Sequence, residues 1–500
     1  MSGGVSQLPP ATALQTAAAF PPRRRLLAVA VVAIAFVMDL VDTTIVNVAV
    51  PAIRQSLGAG PAAAQWLVAG YSMAFAVLLI TGGRLGDLYG YRRIFLGGVA
   101  GFTVASSLCG LAMGPETLVA ARVLQGLAAA LMVPQVLALT QILYPADQRV
   151  AVMALFGVLG GLSAVLGPIL GGFLIDADLF GLSWRPVFLL NLPVGVLGLA
   201  MGLAVLPGGR SSHAGRPDWP GTVLLAAALS ALLLPLIQGR EAGWPAWCLA
   251  LLGLTLPLTG LFAWHVRWRI RRVGSALLVP ALFRDRAFSV GLATLIVFQL
   301  AMGGFFLVTT LSLQEGLGFT PTQAALIHVP FALGVSVGIS VLGRRLILRA
   351  GRYTVTAGCL VMAASLPALR GALGIVHGGT VQGGIIDGGL LPLLAAFLAA
   401  GVGMGLVAAA LTPFTLSATD ARHAGAAAGV VNATQQLGAA LGVALIGALF
   451  FRLAGQHTGT AYVHAFGASA ILMDTALLAA GVFSLGLPRD LRTGAGIAHV

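Results

Sequence analysis

Lysine is absent from this chain of 500 residues, charged side chains make up only 9% of it, and 15 acids stand against 28 arginines. So little charge in so long a chain excludes a soluble globular protein. The missing lysine carries no mechanistic information, because arginine supplies all the positive charge. Cysteine is scarce as well. Cys109, Cys248 and Cys359 lie in separate apolar segments without C-x-x-C or Cys/His spacing, so neither a disulfide framework nor a metal site follows. P-loop, zinc-binding and nucleophile-elbow patterns are also missing, and Gly401-x-Gly403-x-Gly405 has no preceding strand. An enzyme, an ATP-driven pump and a bound cofactor are therefore not expected. The net charge of +13 would suit nucleic acid, but the arginines form short clusters between apolar runs rather than one basic face, so nucleic acid is not an expected partner.

What the chain does have is apolar length. Hydrophobic residues reach 58% and the mean hydropathy is +0.97, as in a polytopic helical membrane protein. The first run begins at Leu26, behind Arg23 to Arg25, and passes Asp39 and Asp42 with no A-x-A site after it, which reads as an uncleaved helix. Further spans are expected near 62–83, 94–113, 117–142, 150–175 and 185–206, then 219–238 and 246–268, then 287–314, 321–348, 353–369, 388–417, 424–452 and 463–487, fourteen in all. The chain thus divides into a tail (1–25), a six-helix bundle (26–206), a linker with two extra spans and an arginine-rich segment (207–286), a second six-helix bundle (287–487) and a tail (488–500).

Placing the N-terminus in the cytosol puts Arg84, Arg92, Arg93, Arg149, Arg210, Arg216, the run from Arg267 to Arg286, Arg344, Arg345, Arg349, Arg352, Arg422, Arg489 and Arg492 on the same side. Arg54, Arg185, Arg240, Arg370 and Arg452 fall outside. This bias sets both termini in the cytosol of a cell inner (plasma) membrane protein. Tryptophans 66, 184, 219, 244, 247, 264 and 268 sit near helix ends and are expected to be interfacial anchors.

Two acids in the first span are costly, at least ~2.5 kcal/mol each at the centre of a bilayer. Asp39 and Asp42 are three positions apart, about 60° on a helix, so both face one sector and are able to share a water pocket, a cation or a proton. The plain alternative is two buried polar groups satisfied by neighbouring helices. Counting ~1.5 Å per residue, they lie roughly 20 and 24 Å above the cytosolic end of their span, and Arg122 lies roughly 8 Å below the outer end of the fourth. In a ~30 Å core these depths coincide, so an Arg122–carboxylate pair is expected, either as a proton-sensitive link or as a fixed structural one.

The turn between spans two and three, Gly83-Arg84-Leu85-Gly86-Asp87-Leu88-Tyr89-Gly90-Tyr91-Arg92-Arg93, resembles the signature loop of the major facilitator superfamily, G-x-L-x-D-x-x-G followed by basic residues. It departs from that pattern at Leu88 and Tyr91, where a basic residue is common. Gly343-Arg344-Arg345 to Gly351-Arg352 echoes it between spans ten and eleven without the acid, as expected of two halves of common origin. Arg122-Val123-Leu124-Gln125-Gly126 is similar to the superfamily's R-x-x-Q-G motif. Gly167-Pro168-x-x-Gly171-Gly172 in span five resembles the motif associated with its exporters, although generic small-residue packing reads the same way.

Three stretches narrow the resemblance to the fourteen-span drug:proton antiporter family: Asp42 to Pro51, Trp184 to Gly195, and Gln435 to Gly442. The family resemblance implies two six-helix bundles around a central cavity with two extra central helices, all α. It also implies a proton-coupled exporter of amphipathic, hydrophobic or cationic small molecules that works by alternating access as a monomer, without cofactor or metal. On this reading Asp42, with Asp39 and Arg122, couples protons; Gly83, Asp87, Gly90, Arg92 and Arg93 form a gating loop; and Asn47, Gln125, Glu315, His328, Gln435 and Asp474 are candidates for the cavity. Asp39 is a local addition, the family usually having an apolar residue there. A dedicated exporter of one endogenous lipid or secondary metabolite is the nearest alternative, and a non-transporting receptor or scaffold the alternative of another class.

Overall fold

The computed structural model describes residues 21–209, 217–378, 381–382, 385–386, 390–417, 419–420, 423–455 and 459–490. Arg210, Arg216, Arg422 and Arg492, counted above as orientation signals, lie outside these residues, as do 1–20 and 491–500 of the two tails.

Among the described residues fourteen helices are long and apolar enough to cross a bilayer: α1 (Arg23–Leu57), α2 (Pro61–Tyr89), α3 (Tyr91–Gly110), α4 (Pro115–Leu143), α5 (Ala151–Asp176), α6 (Pro186–Val205), α7 (Trp219–Gln238), α8 (Ala246–Val273), α9 (Arg286–Gly316), α10 (Pro321–Ala350), α11 (Tyr353–His377), α12 (Leu390–Leu416), α13 (Ala424–Leu453) and α14 (Gly459–Ser484). Local chemistry sets their ends. Proline opens α2, α4, α6 and α10, where its missing N–H costs nothing and its fixed φ suits the first turn. Gly58 closes α1 at φ +63 and Gly90 turns α2 into α3 at φ +97, backbone shapes that side chains resist. The first helix runs through Pro51 to Leu57, further than its apolar run. Two residue pairs, Val381–Gln382 and Ile385–Ile386, form a small antiparallel ribbon between α11 and α12.

Helices α1–α6 and α9–α14 make two halves. Within each, glycine brings backbones together: a Cβ at Gly82 would strike the Ala130 carbonyl, and one at Gly126 the Tyr71 carbonyl, so α2 and α4 touch main chain to main chain. The extra pair α7/α8 is pinned to α2 at both ends. The Thr81 and Thr222 hydroxyls pair at 2.7 Å, Arg84 donates to the Ala276 carbonyl, and Glu241 accepts from the Ala62 N–H at 2.9 Å. Asp218 organises that pair. Buried at the start of α7, it accepts from Gly221 N–H (3.0 Å) and Leu277 N–H (2.9 Å) and lies 2.8 Å from His265 Nε2. Burial pushes its carboxyl up, but the His265 contact, those N–H groups and the Arg269 charge outweigh it and hold the pKa below the usual range. The sign follows: this stabilisation is present at neutral pH and is lost only as pH falls through that lowered value.

The seven tryptophans divide. Trp184 is fully buried and Trp66 nearly so, both core rings rather than interfacial anchors, because α4 and α6 in one case and the second half in the other cover them. The rings at 219, 244, 247, 264 and 268 are exposed, as anchors should be.

Because consecutive helices alternate in direction, one end of the molecule gathers Arg84, Arg92, Arg93, Arg149 and the 267–286 run, while the other is arginine-poor. At the arginine-poor end the halves touch beneath an open groove of about 780 Å³ that Arg54, Asp176, Glu315 and Tyr462 line. Val50, Ala62, Ala64, Trp66 and Ala69 of the first half belong to the same continuous core as α9–α14. Arg54 Nη1 reaches Glu315 at 2.5 Å, Tyr462 donates to the same carboxylate at 2.5 Å, and Gln314 donates to the Val48 carbonyl at 3.0 Å. Glu315 sits in a π-helical turn, Ser312–Gly316, a widened turn that re-aims a side chain.

Gly126→Leu is expected to destabilise the purified protein by at least ~1–3 kcal/mol, the usual cost of overpacking, since the obstacle is backbone and cannot rotate away. Thermal unfolding in detergent measures it; an unchanged midpoint would contradict the close α2–α4 contact.

Candidate functional site

Asp42, Arg122 and their partners form a dehydrated network inside the first half. Arg122 is 1% exposed and Asp42 fully buried, so neither charge has water to lean on. The geometry compensates. Arg122 Nη1 lies 2.5 Å from Asp42 Oδ2 and donates to Gln125 Oε1 at 2.6 Å, while its Nε donates to the Leu67 carbonyl at 3.0 Å. The second carboxylate oxygen of Asp42 accepts from Gln125 Nε2 at 2.7 Å and Asn191 Nδ2 at 3.1 Å, and Asn191 also donates to Ser106 at 2.9 Å. The Tyr71 ring lies under the guanidinium, 4.4 Å from centroid to Cζ, a cation–π contact in a low dielectric. A single cation therefore ties α1, α2, α4 and α6 together.

Asp39 does not share these partners. Its carboxylate accepts from the Tyr71 hydroxyl, so the two acids meet different groups although one tyrosine touches both the Arg122 charge and Asp39. Tyr71 and Asn191 carry no mark in the reading of candidate residues above. Both are polar atoms within apolar spans, where every such group needs a partner, and that signal would have found them.

A cavity of about 460 Å³ opens at the arginine-rich end between α1, α2, α4 and α5 of the first half and α13 of the second. Phe36, Leu79, Val133, Met153 and Phe156 make its wall largely apolar, with Arg84, Asp87, Tyr91, Gln135, Gln141 and Asn432 as its polar side chains. Phe36, Asp39 and Asp42 are spaced three apart on α1, so each is turned about 60° from the one before: Phe36 is on the cavity wall, Asp39 comes next, and Asp42, about 120° round from Phe36, meets Arg122.

The turn between α2 and α3 borders that cavity. Gly83 and Asp87 line it, and Tyr91, standing where a basic residue was expected, donates its hydroxyl to Asp87 at 2.8 Å. Arg92 donates to the Leu203 carbonyl, fastening the turn to α6; Gly90, Arg92 and Arg93 line a separate groove on that side of the turn rather than the cavity. Span-five glycines face two ways. Gly167 and Gly171 receive Thr44 and Ile45 of α1, Pro168 is half-buried between them, and Gly172 lies against the backbone of Pro321 and Thr322 across the two halves.

The remaining candidates scatter. Glu315 pairs with Arg54 at the arginine-poor end rather than lining the cavity. His328 is a packed residue of α10: its ring lies 2.7 Å from the Ala324 carbonyl and 4.8 Å from the Phe397 ring. Asn47 donates to the Thr43 carbonyl of its own helix at 3.0 Å. Gln125 belongs to the buried network, and Gln435 is half-buried on α13 one turn beyond Asn432, which does line the cavity. Asp474 borders a separate groove between α11 and α14.

Arg122→Leu would strand Asp42 as an unpaired buried charge and is expected to cost about 3–5 kcal/mol of stability, while Arg122→Lys keeps the charge but cannot hold Asp42, Gln125 and Leu67 together. Unfolding midpoints of the two variants check this; equal stability of Leu and wild type would contradict it.

Residues 32–443 match the family model described as Major Facilitator Superfamily. Among curated relatives, the probable actinorhodin transporter of Streptomyces coelicolor is 44% identical over 88% of this chain and 75% of its own length. The tetracenomycin C resistance and export protein of Streptomyces glaucescens is 33% identical over 85% of this chain and 76% of its own. Solved structures share the fold at low identity: an auto-inhibited POT family peptide transporter (TM-score 0.67, 17% identical, 95% of this chain and 99% of the other) and a D-xylose-proton symporter (0.62, 16%, 93% and 98%). With fourteen apolar helices in two six-helix halves and an extra pair between them, the chain belongs to the major facilitator superfamily, in its fourteen-span drug-efflux branch.

Proposed function

We propose that this transporter is a proton-coupled exporter of amphipathic, hydrophobic or cationic small molecules, working as a monomer in the bacterial inner membrane with its arginine-rich end in the cytosol. It needs no cofactor beyond the proton gradient. The observation that carries the reading is the buried Asp42–Arg122 pair, whose acid stands on the same helix as Phe36 of the cavity wall. A proton delivered to Asp42 cancels the charge that holds Arg122, and Asp39, between Phe36 and Asp42, lies on the way. Arg122 then leans on Gln125 and the Leu67 carbonyl alone, and the packing of α1 against α2 and α4 is free to change.

On this reading, with the arginine-rich end in the cytosol, the cavity opens inward and the Arg54–Glu315–Tyr462 contacts hold the halves together on the exterior side, beneath an outer groove. Closing the cavity moves Asp87 toward the first turn of α13, where Gly425 and Gly429 share its wall, and unpaired N–H groups at a helix start attract a carboxylate. Gly172 against Thr322 and the Arg54 cluster then open in turn. The apolar wall favours hydrophobic substrates.

A second reading, export of one endogenous metabolite, is favoured by the relatives named for actinorhodin and tetracenomycin C. A compound screen separates the two: many unrelated substrates support the first, one chemotype the second.

Proteoliposomes with an imposed pH gradient test coupling, with ethidium and tetraphenylphosphonium as cationic probes and neutral and anionic dyes beside them. Wild type is expected to move at least one probe at a rate set by the gradient. Asp42→Asn, which keeps the size and loses the titratable charge, should abolish that dependence in a folded protein. Gradient-driven transport by Asp42→Asn would place proton coupling elsewhere.

A further inference from the structure

A second groove lies at the arginine-rich end, outside both halves. Its volume is about 730 Å³, and it is formed by one face of α8 and by the 3-10 turn Pro280–Arg284 that leads to α9. Arg267 and Arg271 are four apart on α8 and so project from one face, and Arg284 comes from the opposite wall. Toward the apolar end of the groove the lining changes to Thr259, Phe262, Ala263 and Val266.

Three features point to its occupant. The three arginines have no ion pair among the described residues, and guanidinium does not lose its proton, so a fixed triple positive charge faces the groove. No acid lines the groove among the described residues; Asp218 accepts from Gly221 and Leu277 N–H and lies against His265, and Asp285, which follows Arg284, accepts from the Ala287 N–H at 2.7 Å. Finally, α8 is the helix most open to lipid. Only 11% of its apolar window is buried, and Trp264 and Trp268, stacked at 6.2 Å and exposed, mark the interface at the level of Arg267.

We propose that this groove binds an anionic phospholipid, its phosphate held by Arg267, Arg271 and Arg284 and its acyl chain laid along Phe262, Ala263 and Val266. A bilayer lipid is chosen over free phosphate because the cationic rim continues into an apolar trough that opens onto the lipid face of α8. The site also has a route to the transport machinery. Ala276 and Leu277, just ahead of the groove's Leu278, are the residues that hold Arg84 of the gating turn and Asp218. A lipid that orders this stretch orders the anchor of that turn.

Native mass spectrometry of the full chain, released from nanodiscs holding equal phosphatidylglycerol and phosphatidylcholine, tests the proposal. Wild type should retain phosphatidylglycerol at least tenfold over phosphatidylcholine. R267Q/R271Q/R284Q should lose that preference by tenfold or more, and R284Q alone, in the short linking turn, by several-fold if the triple variant fails to fold. R272Q, whose guanidinium lies 5.2 Å over the Trp268 ring rather than in the groove, should leave it unchanged. Equal retention of the two lipids, or an unaltered preference in R267Q/R271Q/R284Q and R284Q, would overturn the site. Full displacement of the lipid by millimolar inorganic phosphate would overturn its assignment to a phospholipid.

Discussion

Everything in the first half is arranged around a guanidinium that has no water. An ion pair removed from solvent is not stabilising in itself, since desolvation offsets much of the Coulomb gain, but losing one partner is expensive. The chain therefore supplies Arg122 with an acid on α1, a carbonyl and an aromatic face on α2 and an amide on its own helix, and supplies Asp42 with a further amide from α6. Glycine at 126 brings α4 onto the Tyr71 backbone, which is what lets Arg122 lie over that ring. The packing depends on the charge, so a change of charge is a change of packing.

The two ends of the molecule differ in kind. At the arginine-poor end the halves share one apolar core and a hydrogen-bonded ion pair, while at the other a cavity separates α13 from α1, α4 and α5. A transporter of this fold works by exchanging those conditions between ends. Besides that apolar core, the contacts to be broken include a few polar ones: Arg54 with Glu315, Gln314 with Val48, and the Thr322 N–H with Asp176 at 2.9 Å. The extra pair α7/α8 is hydrogen-bonded to α2 and packs beside α13, so it follows the first half.

Long apolar runs and arginine spacing made the fourteen helices readable, because bilayer thickness leaves a helix little choice of length. Matching depths of Arg122 and the span-one acids also foretold their meeting, as rise per residue is fixed. Partner choice was less legible. Tyr71 goes to Asp39 and Asn191 to Asp42 because of helix rotation, which apolar spans with little amphipathic contrast do not encode. For the same reason Glu315 and Asp474 were placed near the cavity, whereas a π turn aims one at Arg54 and the other borders a groove between α11 and α14. Tyr91 shows the reverse: it departs from the signature pattern, yet its hydroxyl still serves Asp87.

The proposed coupling stands or falls on protonation of Asp42 releasing Arg122. The most direct measurement is counter-movement of protons and ethidium in proteoliposomes that start without a pH gradient and carry a pH-sensitive dye inside. Ethidium entering the vesicles is expected to drive protons out through the wild type and not through Asp42→Asn. Equal proton movement with both proteins, or ethidium movement through the wild type without any proton movement, would contradict the coupling.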